Sequence, residues 1–171
     1  MNILRYMLII ILIVGCQSDS EDNDHPIATS SDLISGVDIS EYPKISSNNP
    51  TFYDENNNEI SFINSLIQNG VNTIRLRLWV NPVDESSSMD EVKLFSNELK
   101  SLGFKIWITP HFSDTWAHPG QQQTPSDWES LSFDELKKQL YNYTSLIMNE
   151  INPDYIQIGN EINTGILFPE G

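Results

Sequence analysis

The sequence predicts an α/β fold with a parallel sheet: a (β/α)8 barrel of which the first four βα units are present. Three observations predict it. Strand and helix patterns alternate along the chain. Equivalent strands recur roughly 30 to 50 residues apart, the size of a βα unit with its loops. Each strand has one aliphatic face and one polar, aromatic or small face. Composition agrees with a folded domain: 171 residues suit one domain, and 39% hydrophobic with 19% charged residues excludes a disordered polyelectrolyte and a multi-span membrane protein. A single cysteine excludes a disulfide framework, and no Cys/His spacing suits zinc. With 9 Lys+Arg against 24 Asp+Glu, the net charge of −15 argues against nucleic acid, whose phosphates require a basic surface. No glycine-rich phosphate loop follows any strand, so a dinucleotide-binding fold loses its main support.

In chain order, the first strand pattern (36–40) sets Val37 and Ile39 opposite Asp38. A helix over 59–69 then gathers Phe62, Ile63, Leu66 and Ile67 on one face and stops at Gly70. In the second strand (73–80), Ile74, Leu76, Leu78 and Val80 oppose Thr73, Arg75, Arg77 and Trp79. Ser88 and Glu91 form a capping box for a helix carrying Val92, Phe95, Leu99 and Leu102, which Gly103 ends. In the third strand (104–111), Ile106 and Ile108 oppose Trp107, Thr109 and His111. Ser132 and Glu135 repeat the capping box, followed by Leu136, Leu140, Tyr143, Ile147 and Ile151 before Pro153. The fourth strand (155–161) sets Ile156 and Ile158 against Gln157, Gly159 and Glu161. In a barrel the aliphatic faces pack under the helices and the other faces line the interior. Asp38, Arg77, His111 and Glu161 then fall near the C-terminal ends of the strands, where such barrels place active sites.

Those residue types suit acid–base work on an uncharged sugar. Glu161 follows Asn160 within apolar sequence, and a carboxyl enclosed there has its pKa raised toward the range of a general acid. Arg75 and Arg77 on an inward face require carboxylate partners. Trp79, Trp116 and Phe168 are candidate platforms for sugar rings, and Trp107 is assigned to the core.

The N-terminus reads as targeting sequence. In residues 1–15, Arg5 precedes an apolar run too short for a bilayer core of about 30 Å, as in a signal peptide. Ile13-Val14-Gly15-Cys16 resembles a bacterial lipobox. That implies a lipid on Cys16, a membrane partner through this anchor, and a surface-exposed outer-membrane location. Residues 16–34 are polar and acidic and read as a flexible tether, which leaves 35–171 for the barrel segment.

The segments Gly36-Val-Asp-Ile-Ser-Glu-Tyr-Pro, Val71-Asn-Thr-Ile-Arg-Leu-Arg-Leu-Trp-Val-Asn-Pro, His111-Phe-Ser-Asp-Thr-Trp-Ala-His-Pro-Gly and Ile156-Gln-Ile-Gly-Asn-Glu-Ile resemble glycoside hydrolase family 53, the arabinogalactan endo-β-1,4-galactanases. The resemblance implies a retaining glycosidase with a β-1,4-galactan substrate and Asn160-Glu161 as its signature. By it, Glu161 is the general acid/base and Asn160 binds the sugar 2-hydroxyl. Arg77 holds the nucleophile's carboxylate, with Arg75 as the fallback. His111, Asp114 and Trp116 shape the cleft, and Asp38 and Trp79 join them as substrate-binding residues. His118 stands where the family pattern has an aspartate. A retaining reaction needs a second carboxylate about 5–5.5 Å from the first. That nucleophile, a glutamate on the seventh strand, is absent from this chain, which implies a truncated reading frame. No cofactor or metal is expected within it, and a calcium site known in some bacterial members would lie beyond Gly171. The alternatives are a non-catalytic glycan-binding surface lipoprotein and another endoglycanase of the same clan.

Overall fold

The computed structural model describes residues 33–171. The expected signal peptide, Cys16 and the expected tether up to residue 32 lie outside the described residues. Ile34–Gly171 forms one compact unit. Its elements are Gly36–Asp38 (β1), Tyr42–Ser46 (α1), Phe52–Tyr53 (β2), Glu59–Ile60 (β3), Phe62–Gln68 (α2), Thr73–Leu78 (β4), Met89–Ser101 (α3), Lys105–Pro110 (β5), Phe133–Glu150 (α4) and Tyr155–Ile156 (β6). A four-stranded sheet runs β1-β4-β5-β6, every neighbouring pair parallel.

Register confirms the two faces. Val37 pairs with Ile74 and Ile74 with Ile106, while Asp38, Arg75, Trp107 and Tyr155 form the adjacent row. The aliphatic side carries the core: Ile74, Leu76, Leu78, Ile106 and Ile108 pack with Ile63, Val92, Phe95, Leu99, Ile147 and Ile151 from the helices. Full burial of such a side chain stabilises by about 1.5–3 kcal/mol relative to leaving it in water, so this layer fixes where the opposite faces of the strands lie.

Both predicted helix starts are present. Ser88 Oγ accepts from the Glu91 N–H, although the Glu91 carboxylate reaches back to the N–H of Ser87 rather than Ser88. Glu135 accepts from both the N–H and the hydroxyl of Ser132. Two lysines of α3 fasten α4: Lys93 pairs with Glu150 at 2.5 Å, and Lys100 donates to the carbonyls of Ile151 and Asn152 at 2.5 and 2.8 Å. The Lys100 ammonium thereby meets the negative end of the helix dipole.

Two expectations change, and one short helix is new. The helix expected over 59–69 starts only at Phe62, because Ser61 caps it and Glu59–Ile60 pairs antiparallel with Phe52–Tyr53. Helix α1, a five-residue turn with Pro43 near its start, is too short to show a period. The fourth strand covers only Tyr155–Ile156 rather than 155–161. Ile106 and Ile108 present their carbonyls to the N–H groups of Asp154 and Gln157. The next residue in phase on β5 is Pro110, which has no N–H to offer the following rung. Beyond Gln157 the chain leaves the sheet, turning at Gly159 with φ of 81°.

Candidate active site

The C-terminal ends of β1, β4 and β5 converge on two arginines. Asp38 accepts from the N–H and hydroxyl of Ser40 at 3.0 and 2.6 Å and pairs with Arg75 at 2.5 Å. Partial burial would raise its pKa, but Ser40 and then Arg75 outweigh this and hold it below the usual carboxylate value. The other arm of Arg75 donates to Asn160 Oδ1 at 3.0 Å. Arg77 is 3% exposed; it pairs with Glu41 and donates from Nε to Ser87 Oγ at 3.0 Å. Its guanidinium lies 4.5 Å from the ring centre of Trp79 and 4.2 Å from that of Trp116. Both arginines thus have the carboxylate partners their inward placement demands. Glu41 was not singled out in the sequence; its only signal is adjacency to the end of β1.

Among the described residues the two arginines take different partners. Arg75, held as the fallback, is the one that touches Asn160, while Arg77, expected to hold a nucleophile's carboxylate, holds Glu41 and the tryptophans. The aromatic candidates also separate. Trp79 is 9% exposed and lies against Arg77, whereas Trp116 is 52% exposed and keeps an open face. Trp116 and Arg77 line a cleft of about 410 Å³ with Asp38 and Glu41, floored by Tyr42, Phe52 and Phe62. Phe168 lines a different cleft, with Gln123, Thr124 and Leu136. Trp107 is half-buried on the inner row, against Tyr155, rather than in the core.

His111 is fully buried at the end of β5, and its Nδ1 accepts from the Ala117 N–H at 3.1 Å. Burial first, and then the positive charges of Arg77 and Arg75, push its pKa down to about 4. The ring is therefore neutral at neutral pH and orders the loop that follows. Asp114 staples loops: it accepts from the Asn81 N–H and from the N–H and hydroxyl of Ser126 at 3.0, 2.9 and 2.8 Å. His118 is exposed and accepts from the Gly120 N–H within its turn.

Asn160 is 8% exposed, and its amide is engaged at both ends. Oδ1 accepts from Arg75, and Nδ2 donates to the Ala117 carbonyl at 2.9 Å. Glu161 has φ of 51°, a left-handed conformation that costs a residue with a Cβ roughly 1–2 kcal/mol. Its side chain accepts no hydrogen bond from any described residue, and the residue is exposed, so the enclosed cleft expected around it is not built by these residues. Among the described residues no group of three His, Cys, Asp or Glu side chains is placed to hold a metal ion.

A parallel sheet with helices on its aliphatic face, and an Asp38-Arg75-Asn160 network with an open tryptophan across its strand ends, matches part of a (β/α)8-barrel glycoside hydrolase. The profile of glycosyl hydrolase family 53 matches residues 34–171, and the chain belongs to that family. It is similar to arabinogalactan endo-beta-1,4-galactanase A of Aspergillus niger, 41% identical over 111 residues, covering 62% of this chain and 32% of that protein. In three dimensions it resembles the Ignisphaera aggregans GH53 catalytic domain, with a TM-score of 0.76 and 39% identity over 85% of this chain and 44% of the other. A structure from a study of two fungal beta-1,4-galactanases matches with a TM-score of 0.72 and 38% identity, covering 80% of this chain and 42% of the other. The chain therefore spans 32 to 44% of the length of these relatives.

Proposed function

We propose that the chain supplies the acid/base half of a retaining endo-β-1,4-galactanase, which cleaves internal β-1,4-galactosyl bonds of pectic arabinogalactan. The observation that supports this most strongly is the Asn160-Glu161 pair: Asn160 is locked between Arg75 and Ala117, and this leaves the next carboxyl, Glu161, open to solvent beyond the strand end. In the reaction, protonated Glu161 gives its proton to the glycosidic oxygen as the bond to the anomeric carbon breaks. A second carboxylate, supplied from outside the described residues, attacks that carbon. Glu161, now ionised, then takes a proton from the water that hydrolyses the glycosyl-enzyme. Trp116 offers its open face to a galactose ring, and the Arg77 guanidinium backs the indole from its other side. An uncharged galactan also suits a chain of net charge −15, which would repel an acidic pectin backbone. The anchor at Cys16 would hold the enzyme on the outer membrane, facing polysaccharide.

The test uses the protein expressed from its complete reading frame. Glu161→Ala should slow cleavage of galactan severely, because an alkoxide leaving group needs a proton. The bond-breaking step of an aryl galactoside with an acidic phenol should be spared, and azide should restore turnover. Equal loss on both substrates without azide rescue would make Glu161 structural. Galactan binding without cleavage in the unaltered protein would favour a glycan-binding lipoprotein.

A further inference from the structure

We propose that Gln122 is the positioning residue for the acid/base, its side-chain amide holding the backbone on which Glu161 is mounted; this rests on the reading of Glu161 given above. Past Gln157 no ladder holds the chain, and Glu161 sits in a left-handed conformation that an unsupported segment would leave. The clamp on the Asn160 side chain fixes one end of this segment, not the peptide units around Glu161.

Gln122 supplies that support from 39 residues away. It is 1% exposed, and its Nε2 donates to two successive carbonyls, those of Asn160 at 2.7 Å and Glu161 at 3.3 Å. Its Oε1 has no hydrogen-bond partner among the described residues, so the two carbonyls alone dictate which way the amide faces. Gln122 is itself immobilised. Its carbonyl accepts from the Phe168 N–H at 2.6 Å, and the Thr164 hydroxyl donates to the Pro119 carbonyl at 2.6 Å. The loop after β5 is thereby sewn to the segment after β6 at two points beyond Glu161. Among uncharged side chains only glutamine combines two N–H donors with this reach: leucine has the size without donors, and asparagine is one methylene shorter.

The experiment compares Gln122→Leu, Gln122→Asn, Glu161→Ala and the Gln122→Leu/Glu161→Ala double variant in the protein expressed from its complete reading frame. Gln122→Leu should lower kcat on β-1,4-galactan about a hundredfold with KM little changed, the scale expected when a reacting group is misplaced by about 1 Å. The bond-breaking step of a nitrophenyl galactobioside should be largely spared, as in Glu161→Ala, and Gln122→Asn should fall between. The double variant should be no slower than Glu161→Ala alone. Amide hydrogen exchange should speed up across residues 157–168 while β4 and β5 stay protected. Equal loss on both substrates, additive loss in the double variant, or exchange raised throughout β4 and β5 would each overturn the proposal. If Glu161→Ala itself shows no dependence on the leaving group, the acid/base reading fails and this proposal fails with it.

Discussion

His111 offers a quantitative test of how the site is ordered. In the fold its pKa is about 4, because burial and the nearby Arg77 and Arg75 disfavour a third positive charge. In the unfolded chain it returns to about 6.5. The gap of about 2.5 pH units, at 1.36 kcal/mol per unit, is roughly 3 kcal/mol. The unfolded chain takes up the proton first as pH falls. The contribution is therefore complete above pH 6.5 and is lost progressively down to about pH 4. His111→Asn keeps an acceptor for the Ala117 N–H but removes the titration. Urea unfolding of both proteins, each expressed from its complete reading frame, at pH 7.5 and 4.5 isolates the effect, since the carboxylates are common to both. The native protein should lose most of that 3 kcal/mol more than the variant over this interval. Its His111 Cε1–H resonance should titrate near pH 4. Parallel stability curves, or a midpoint near 6.5, would refute the account. The consequence reaches the site: protonating Nδ1 removes the acceptor for Ala117, whose carbonyl holds Asn160, so acid should loosen the Asn160-Glu161 segment.

Other outcomes follow from the same contacts. Arg77→Met removes the cation stacked on Trp116; acrylamide should quench that ring more readily, and galactan affinity should fall about tenfold, within the range of a partly desolvated cation–π contact. Cys16→Ser should abolish incorporation of labelled fatty acid in a bacterial host and release the protein from membranes. Residues 17–171 expressed alone should show no galactanase activity and should self-associate, since among the described residues β1 and β6 are open sheet edges and Glu161 is the one candidate catalytic carboxyl. A cooperative monomer that cleaves galactan would contradict this, and size-exclusion chromatography with an activity assay reads both.

What was legible in the sequence was local. The alternation of Ile74, Leu76 and Leu78 with Arg75 and Arg77 needs only strand geometry, and the Ser132/Glu135 cap needs only three residues of spacing. The inward placement of Asp38, Arg75 and Arg77, and hence the general position of the site, followed from that parity. What was not legible depends on a distant partner. The alternation through Ile158 and Glu161 continues past the point where the sheet can, because the missing N–H belongs to Pro110 on the neighbouring strand. Glu59 and Ile60 fit a helical pattern until Phe52 and Tyr53 pair with them. Arg75 and Arg77 share a face, so spacing alone does not tell which reaches Asn160 and which reaches Glu41. Gln122 carries no local signal, because its partners lie 38 and 39 residues further along the chain.

The central claim is tested most directly by the products formed from purified β-1,4-galactan. The protein expressed from its complete reading frame should release a ladder of galacto-oligosaccharides from the earliest time points, as expected when internal bonds are cut, and should release none from β-mannan or cellulose. Chromatography showing galactan left intact, or oligosaccharides released instead from mannan or cellulose, would contradict the assignment.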